Sequence, residues 1–230
     1  MATKRATKKK APANAKAKEA HVFDRADHEW YVDTPSVSDA LFRVENFPGA
    51  IFDPCAGMGN IVRSAVRHGY SARAYDVNPR PEHFKTLIGV LERSPVDFLS
   101  QQSVFIEYQS IVMNPPYGQM DGQDRRWEEA FIERAVDMAR GKVAAVVRLQ
   151  WLVPRMAWLK KLGLIRVWLI TSRPSMLPGE NIKAGERPGG GGVDYAWCVF
   201  IRGADVAPTI GAAERQVDLD DPKNWTWRLG

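Results

Sequence analysis

Apolar positions along this chain switch between helical spacing and short continuous runs, and the switches fall at glycine and proline. Residues 36–46 form an amphipathic stretch with Ser36 or Ser38 available as a helix cap, and Pro48-Gly49 ends it. Residues 50–53 then read as a short buried strand running into a glycine-containing turn. Ile61, Val62, Ala65 and Val66 recur at helical spacing within 59–68, and Gly69 supplies a C-terminal cap. A strand is predicted over 72–76, a helix over 83–93 stopped by Pro95, and a strand over 111–113. Ala130, Phe131, Ala135, Val136 and Ala139 mark a helix over 126–140, and residues 142–149, 164–171 and 196–201 read as strands. Such alternation with short links predicts an α/β domain built on a largely parallel sheet covered on both faces. Trp151, Trp158 and Trp168 lie among apolar neighbours, where core packing is the default.

Composition narrows this picture. With 230 residues and 45% hydrophobic content the chain can bury one substantial core. The expected organisation is a tail over 1–20, one domain over 21–203 and an extension over 204–230. The net charge is +5, but residues 1–20 alone carry Lys4, Arg5, Lys8, Lys9, Lys10, Lys16 and Lys18 against Glu19. Basicity therefore belongs to an Ala/Lys-rich leader that cannot bury enough surface to fold alone. A disordered polycation of this kind can add salt-sensitive affinity for phosphates. No run of 18 apolar residues is present, so a membrane partner is not expected. The basic N-terminus lacks the apolar stretch of a secretory signal. Cys55 and Cys198 form neither a disulfide framework nor a metal set, which suits a reducing cytoplasm.

The turn Asp53-Pro54-Cys55-Ala56-Gly57-Met58-Gly59-Asn60 stands between a strand and a helix. Gly57 and Gly59 permit a tight turn and close approach to a ligand, and free N–H groups of the helix point the same way. Asp76, at the end of the next strand, can accept both ribose hydroxyls of a nucleoside. An ordinary turn or a dinucleotide site would also use glycines here. The carboxylate at the turn's entrance would repel pyrophosphate, however, and suits a cationic ligand carrying an ammonium and a sulfonium. That favours S-adenosylmethionine over NAD.

Asn114-Pro115-Pro116-Tyr117 follows the strand over 111–113, at the carboxyl edge of the sheet. An aromatic amine is a poor nucleophile because its lone pair is delocalised. The Asn114 side-chain oxygen and the Pro115 carbonyl could accept its hydrogens and localise that lone pair toward an electrophile. The prolines stiffen the backbone and preorganise these acceptors, and Tyr117 offers a face for a stacked base. Taken alone, the tetrapeptide could be a rigid turn. Behind a cofactor-type turn it reads as a catalytic element needing neither a metal nor a covalent enzyme intermediate.

At these residues the chain resembles class I S-adenosylmethionine-dependent methyltransferases, in the form seen among enzymes that methylate the N6 amine of adenine in DNA. The resemblance spans roughly residues 30–202. It implies a Rossmann-like fold with a mostly parallel seven-stranded sheet and helices on both faces. It also implies direct in-line methyl transfer to a base flipped from a specific DNA sequence, leaving S-adenosylhomocysteine. Flipping costs roughly a few kcal/mol. Trp30-Tyr31-Val32-Asp33-Thr34-Pro35 resembles the upstream segment that folds over the methionine end of the cofactor, which implicates Tyr31, Thr34 and Pro35. Asp97-Phe98 resembles the later motif that meets the adenine, and Val77 follows the ribose-binding Asp76. Asp194-Tyr195-Ala196-Trp197 is similar to a late motif whose aromatic helps enclose the base, making Tyr195 a candidate. Pro54-Cys55 looks like the nucleophilic dipeptide of cytosine carbon-5 enzymes but lies after the wrong strand, so Cys55 is not expected to attack a base.

Larger members of this family append a recognition domain, whereas only about 29 residues follow Ile201. DNA reading is therefore expected from loops near 118–127, with Arg125 and Arg126, and 172–193, with Arg173, Lys183 and Arg187. Pairing into a homodimer could supplement them, and Trp225 and Trp227 could serve it. The implied role is a stand-alone bacterial or prophage modification enzyme of the restriction–modification type, in the cytoplasm near the nucleoid. Two alternatives stay open. The same chemistry could act on a protein glutamine or an RNA guanine amine, or the fold could be a non-catalytic nucleic-acid-binding module.

Overall fold

The computed structural model describes residues 31–78, 90–93, 97–100, 109–186, 188 and 191–221. The basic tail over 1–20, Trp30, residues 83–89 of the expected helix, Arg187, Trp225 and Trp227 lie outside the described residues. So do the side chains of residues 90–93 and of Lys183.

The main sheet has eight strands. In chain order they are β2 (Ile51–Asp53), β3 (Ala72–Tyr75), β4 (Val90–Arg93), β5 (Ser110–Met113), β6 (Lys142–Arg148), β7 (Leu164–Thr171), β9 (Tyr195–Ile201) and β10 (Thr209–Glu214). Their spatial order is β10-β7-β9-β6-β5-β2-β3-β4. β9 alone runs antiparallel to its neighbours, β6 and β7. The chain lays β2, β3 and β4 outward in one direction, then returns to place β5 and β6 on the other side of β2. The crevice beyond the carboxyl ends of β2 and β5 is thus a topological switch point, where open α/β sheets bind ligands. A two-stranded sheet pairs β1 (Tyr31–Val32) antiparallel with β8 (Leu177–Pro178).

Period-two alternation divides the strands between two cores. Ile111 and Met113, with Val143, Ala145 and Val147, pack under α3 (Trp127–Met138), whose Phe131, Ile132, Ala135 and Val136 face them. Val112, Ala144 and Val146 point the other way, toward α1 (Pro35–Val44) and α2 (Asn60–Arg67), which contribute Val37, Leu41, Ile61, Val62 and Ala65. Burial on both faces explains why these strands read as continuous apolar runs. Trp151 and Trp158, on the short helices α4 (Leu149–Leu152) and α5 (Met156–Lys161), meet edge to face at 6.3 Å against the first core. The Trp168 indole packs beside the second and donates to Glu45 at 3.0 Å.

Three elements differ from expectation. Val90–Arg93, expected at the end of a helix, is a strand paired in parallel with β3. Four residues do not carry enough periodicity to separate the two states, and the neighbouring ladder decides. β10 was not anticipated, because Ala213 is its one buried residue and no apolar alternation marks it; its six-residue ladder with β7 makes it a strand. Finally, α1 starts at Pro35 with Thr34 in the capping position, not Ser36 or Ser38. The Ser36 N–H is satisfied from elsewhere in the fold, by Asp220 at 3.0 Å.

Candidate functional site

Asp53 ends β2, and the turn after it folds back on itself. Gly57 and Gly59 adopt φ of +51° and +77°, a left-handed region that side chains disfavour. The Cys55 N–H donates to Asp53 Oδ1 at 3.1 Å, and the Gly57 N–H donates to Asp76 Oδ2 at 2.8 Å. Asp76 Oδ1 also accepts the Asn78 N–H at 2.8 Å. Asp76 therefore shapes the turn as well as standing at its rim. Pro54, Ala56 and Asn60 are buried around the turn, whereas Val77 is 55% exposed.

The charge on this turn is unusual. Asp33, Asp53 and Asp76 are all buried. Burial pushes the Asp33 carboxyl up to about 6, against the bond it accepts from Ser38. Burial raises Asp53 well above the carboxylate range, and the neighbouring Asp33 and Asp76 add to it. Buried acids beside a glycine turn are acceptors that a bound cation would stabilise in their ionised form. Arg63, a buried guanidinium whose charge opposes the shift of Asp33, bonds the Met58 carbonyl and is itself pulled down to about 10 by burial.

Asn114 leaves β5 beside this turn, and the Cys55 thiol donates to its backbone carbonyl at 3.2 Å. Burial first, then the three aspartates, raise the Cys55 thiol well above its usual value, so it is no nucleophile. Cys198 is buried inside β9 and shifted in the same direction. The segment 31–34 lies across both halves of the site. Asn60 Nδ2 donates to the Asp33 carbonyl at 2.6 Å, and Asn114 Nδ2 donates to the Tyr31 carbonyl at 3.0 Å. This strap thereby orients the Asn114 amide. Thr34 is buried and Pro35 opens α1.

Tyr117 is placed differently from the stacking face anticipated for it. Its ring is 2% exposed, and its one hydroxyl proton is shared between Asn114 Oδ1 at 2.7 Å and the Val146 carbonyl at 3.1 Å. The Arg148 guanidinium lies 4.8 Å from the ring centroid, and the Tyr195 ring 6.4 Å away. The tyrosine is drawn inward because both hydroxyl bonds and the cation are supplied from β5 and β6. Burial raises its phenol well above the usual value, so it stays a donor. Pro115 is buried and Pro116 half-buried. Phe98 likewise belongs to the core, 5.4 Å from Phe131 and 6.1 Å from Phe52, while exposed Asp97 closes a turn through the Leu99 N–H at 2.9 Å. The Trp197 indole is wholly buried and donates to the Val37 carbonyl at 3.1 Å, a packing role.

The arginines expected to read bases are engaged with acids. Arg125 pairs with Glu133, Arg126 with Glu128 at 3.0 Å, and Arg173 bidentately with Asp194 at 2.7 and 3.1 Å. Glu128, 1% exposed, also accepts the Gly118 N–H at 3.1 Å, so it pins the loop that leaves the tetrapeptide. Sequence reasoning passed over Arg148. It ends β6, lies 4.8 Å from the Tyr117 ring centroid, has a buried Nε without a partner and, among the described residues, forms no ion pair. A charged residue closing an apolar strand at the carboxyl edge was the available signal. Asp33 was also missed, although an acid beside Thr34-Pro35 marks the strap. Among the described residues no cluster of three or more His, Cys, Asp or Glu is placed to hold a metal, and no helix is long and apolar enough to cross a membrane.

No protein-family model and no curated protein matches this sequence. Solved structures do. The type IIG restriction endonuclease BpuSI matches with a TM-score of 0.56 and 18% identity over 78% of this chain and 26% of that one. The EcoKI M protein of a type I restriction enzyme matches at 0.54 and 12% identity, over 81% of this chain and 49% of that one. The 23S rRNA methyltransferase ErmE matches at 0.51 and 15%, over 76% and 70%. This chain thus spans about a quarter and about half of the two restriction proteins. These likenesses establish the fold, a Rossmann-like class I methyltransferase fold whose sheet here carries an eighth strand.

Proposed function

We propose that this protein transfers a methyl group from S-adenosylmethionine to the N6 amine of adenine in DNA. The observation that carries the reading is the junction of Asn114 with the acid-lined glycine turn, tied by the Cys55 thiol to the Asn114 carbonyl at 3.2 Å. Asp33 and Asp53 would hold the cofactor's cationic end, Asp76 its ribose, and Gly57 and Gly59 would let its backbone contacts close in. When bound there, S-adenosylmethionine supplies an electrophilic methyl group. The chain's own work is on the acceptor. Asn114 Oδ1 keeps a lone pair beyond its bond to Tyr117 and accepts an amine hydrogen, localising the nitrogen lone pair. The Tyr31 carbonyl and Tyr117 hydroxyl hold that amide in one orientation, so no reorganisation accompanies the reaction.

DNA is favoured by the polycationic leader and by Arg148, a guanidinium at the acceptor side suited to a phosphate. Two of the similar folds also belong to restriction enzymes. Incubation with labelled cofactor and, separately, unmethylated duplex DNA, RNA or glutamine-bearing protein tests the acceptor. Label in DNA as N6-methyladenine is the expected result, and label confined to RNA or protein overturns the DNA assignment. No transfer to any acceptor, with intact cofactor binding, would favour a non-catalytic module.

Arg148→Gln is expected to raise the KM for DNA by about tenfold, the scale of one charge-assisted contact, with cofactor affinity unchanged. Steady-state kinetics against DNA concentration and calorimetry with S-adenosylhomocysteine check both halves. An unchanged KM removes Arg148 from the acceptor contact.

A further inference from the structure

The segment over 31–36 joins both halves of the site, yet it is only a two-stranded ribbon and a helix start. Tyr31 and Val32 pair with Pro178 and Leu177, and beyond them the strap enters α1 at Pro35. A free helix start leaves orphan N–H groups, normally met by the capping side chain. The Thr34 hydroxyl makes no such bond. The chain meets the need from its far end. Asp220 Oδ1 accepts the Ser36 N–H at 3.0 Å and Oδ2 accepts the Ser36 hydroxyl at 2.9 Å, across 184 residues of sequence. Arg215 forms an ion pair with Asp220, and the two side chains are 3% and 5% exposed. Its Nε also donates to the Ser36 hydroxyl at 2.7 Å, and another nitrogen donates to the Ser172 carbonyl. Ser172 sits in the left-handed region at φ +61°, at the head of the loop leading to β8. One buried guanidinium thus grips the strap, the carboxylate that caps it, and the loop carrying its ribbon partner.

We infer that Arg215 and Asp220 are positioning residues for the cofactor and acceptor site, acting through the strap on Asp33 and Asn114. Both segments belong to stretches to which neither the sheet's core nor the tetrapeptide assigns a role. β10 delivers Arg215 directly after Glu214, so the edge strand, which adds little to the core, has this delivery as its consequence. The physical route is short. Asp220 fixes Ser36; Pro35 and Thr34 follow rigidly; the Asp33 carbonyl holds Asn60 in the cofactor turn, and the Tyr31 carbonyl holds the Asn114 amide. The anchor also explains how the strap keeps the Asp33 side chain buried. A helix start capped by a charged, ion-paired carboxylate is stiffer than one capped by its own neutral hydroxyl.

This inference rests on the cofactor reading above, so its test separates the two. Ser36→Ala removes the hydroxyl that both partners share, while leaving the ion pair and the Asp220 bond to the backbone. Asp220→Asn removes the charge and leaves Arg215 buried without a counterion, a change that could compromise folding. The full chain and both variants are compared by thermal unfolding, by amide hydrogen exchange over residues 31–38, by calorimetry with S-adenosylhomocysteine, and by the split between cofactor KM and kcat. Ser36→Ala is expected to unfold within a few degrees of the parent (roughly the effect of one hydrogen bond), to exchange faster over 31–38, and to bind the cofactor product about tenfold more weakly. A purely structural role would lower the unfolding temperature and leave cofactor KM unchanged. Folded Ser36→Ala with parental exchange and parental affinity overturns the inference. If the parent itself binds no cofactor product, the cofactor reading fails, and exchange over 31–38 still reports whether the anchor holds the strap.

Discussion

Asn114→Ala is expected to slow methyl transfer by about 10²–10³, the scale of losing one preorganised polar group at a reacting centre, and to leave calorimetric affinity for S-adenosylhomocysteine within about threefold. In the proposed mechanism Asn114 Oδ1 accepts from the amine, whereas Nδ2 donates to the Tyr31 carbonyl at 3.0 Å. Alanine removes both functions. Asn114→Asp separates them, since it keeps an oxygen acceptor and loses the donor to the strap. The aspartate variant should therefore retain more activity than the alanine variant. Tyr117 keeps its second hydrogen bond, to the Val146 carbonyl at 3.1 Å, so neither substitution should unpack the tyrosine. Single-turnover rates at saturating cofactor make the measurement. An alanine variant transferring methyl at the parental rate would remove the side-chain oxygen from the mechanism.

The second large effect concerns pH and the buried acids. The Asp33 carboxyl is raised by burial from the usual 3.8 to about 6. The fold thus favours the protonated form, so between about pH 4 and pH 6 the native state binds more protons than the unfolded chain. Stability from this group is greatest at low pH and is lost as pH rises through 6. At pH 8 the ionised carboxylate costs at most about 3 kcal/mol. Asp33→Asn removes that cost, keeps an oxygen for Ser38, and should raise the unfolding temperature at pH 8 by several degrees (about 2–4 °C per kcal/mol at this size). It should do little at pH 4. Binding runs the other way. A cationic ligand favours the ionised form, so parental affinity for S-adenosylmethionine should rise with pH through 6, and the asparagine variant should bind more weakly with a flatter profile. Stability would then be given up for binding, as functional sites often require. Thermal scans at pH 4, 6 and 8 with parallel calorimetry make the test. An asparagine variant no more stable at pH 8, or a parental affinity that ignores pH, would contradict the assignment of charge to this site.

The two sides of the protein's chemistry were unequally legible. Gly57 and Gly59, the entrance aspartate and the proline-stiffened Asn114 are recognisable in one dimension because each is a local requirement, of a left-handed turn or a rigid backbone, that a few adjacent residues must meet. The strand–helix alternation is legible for the same reason, since burial of both sheet faces leaves a pattern within each run. Arg125, Arg126 and Arg173 looked free as a string of letters and are ion-paired in space. Tyr117 looked like an open platform and is turned inward, because Val146 and Arg148 come from another strand.

Sequence by itself determined the doubly covered sheet, the glycine turn that ends β2, and the identity of the residues at the mouth of β5. Tertiary structure alone decided that Val90–Arg93 and Thr209–Glu214 extend the sheet, that three carboxyls crowd one turn, and that Asp220 caps a helix beginning at Pro35. The reason is that backbone propensity and amphipathic period act between near neighbours and imprint themselves on composition. A hydrogen bond between positions 36 and 220 asks nothing of the residues between them, and so leaves no trace there.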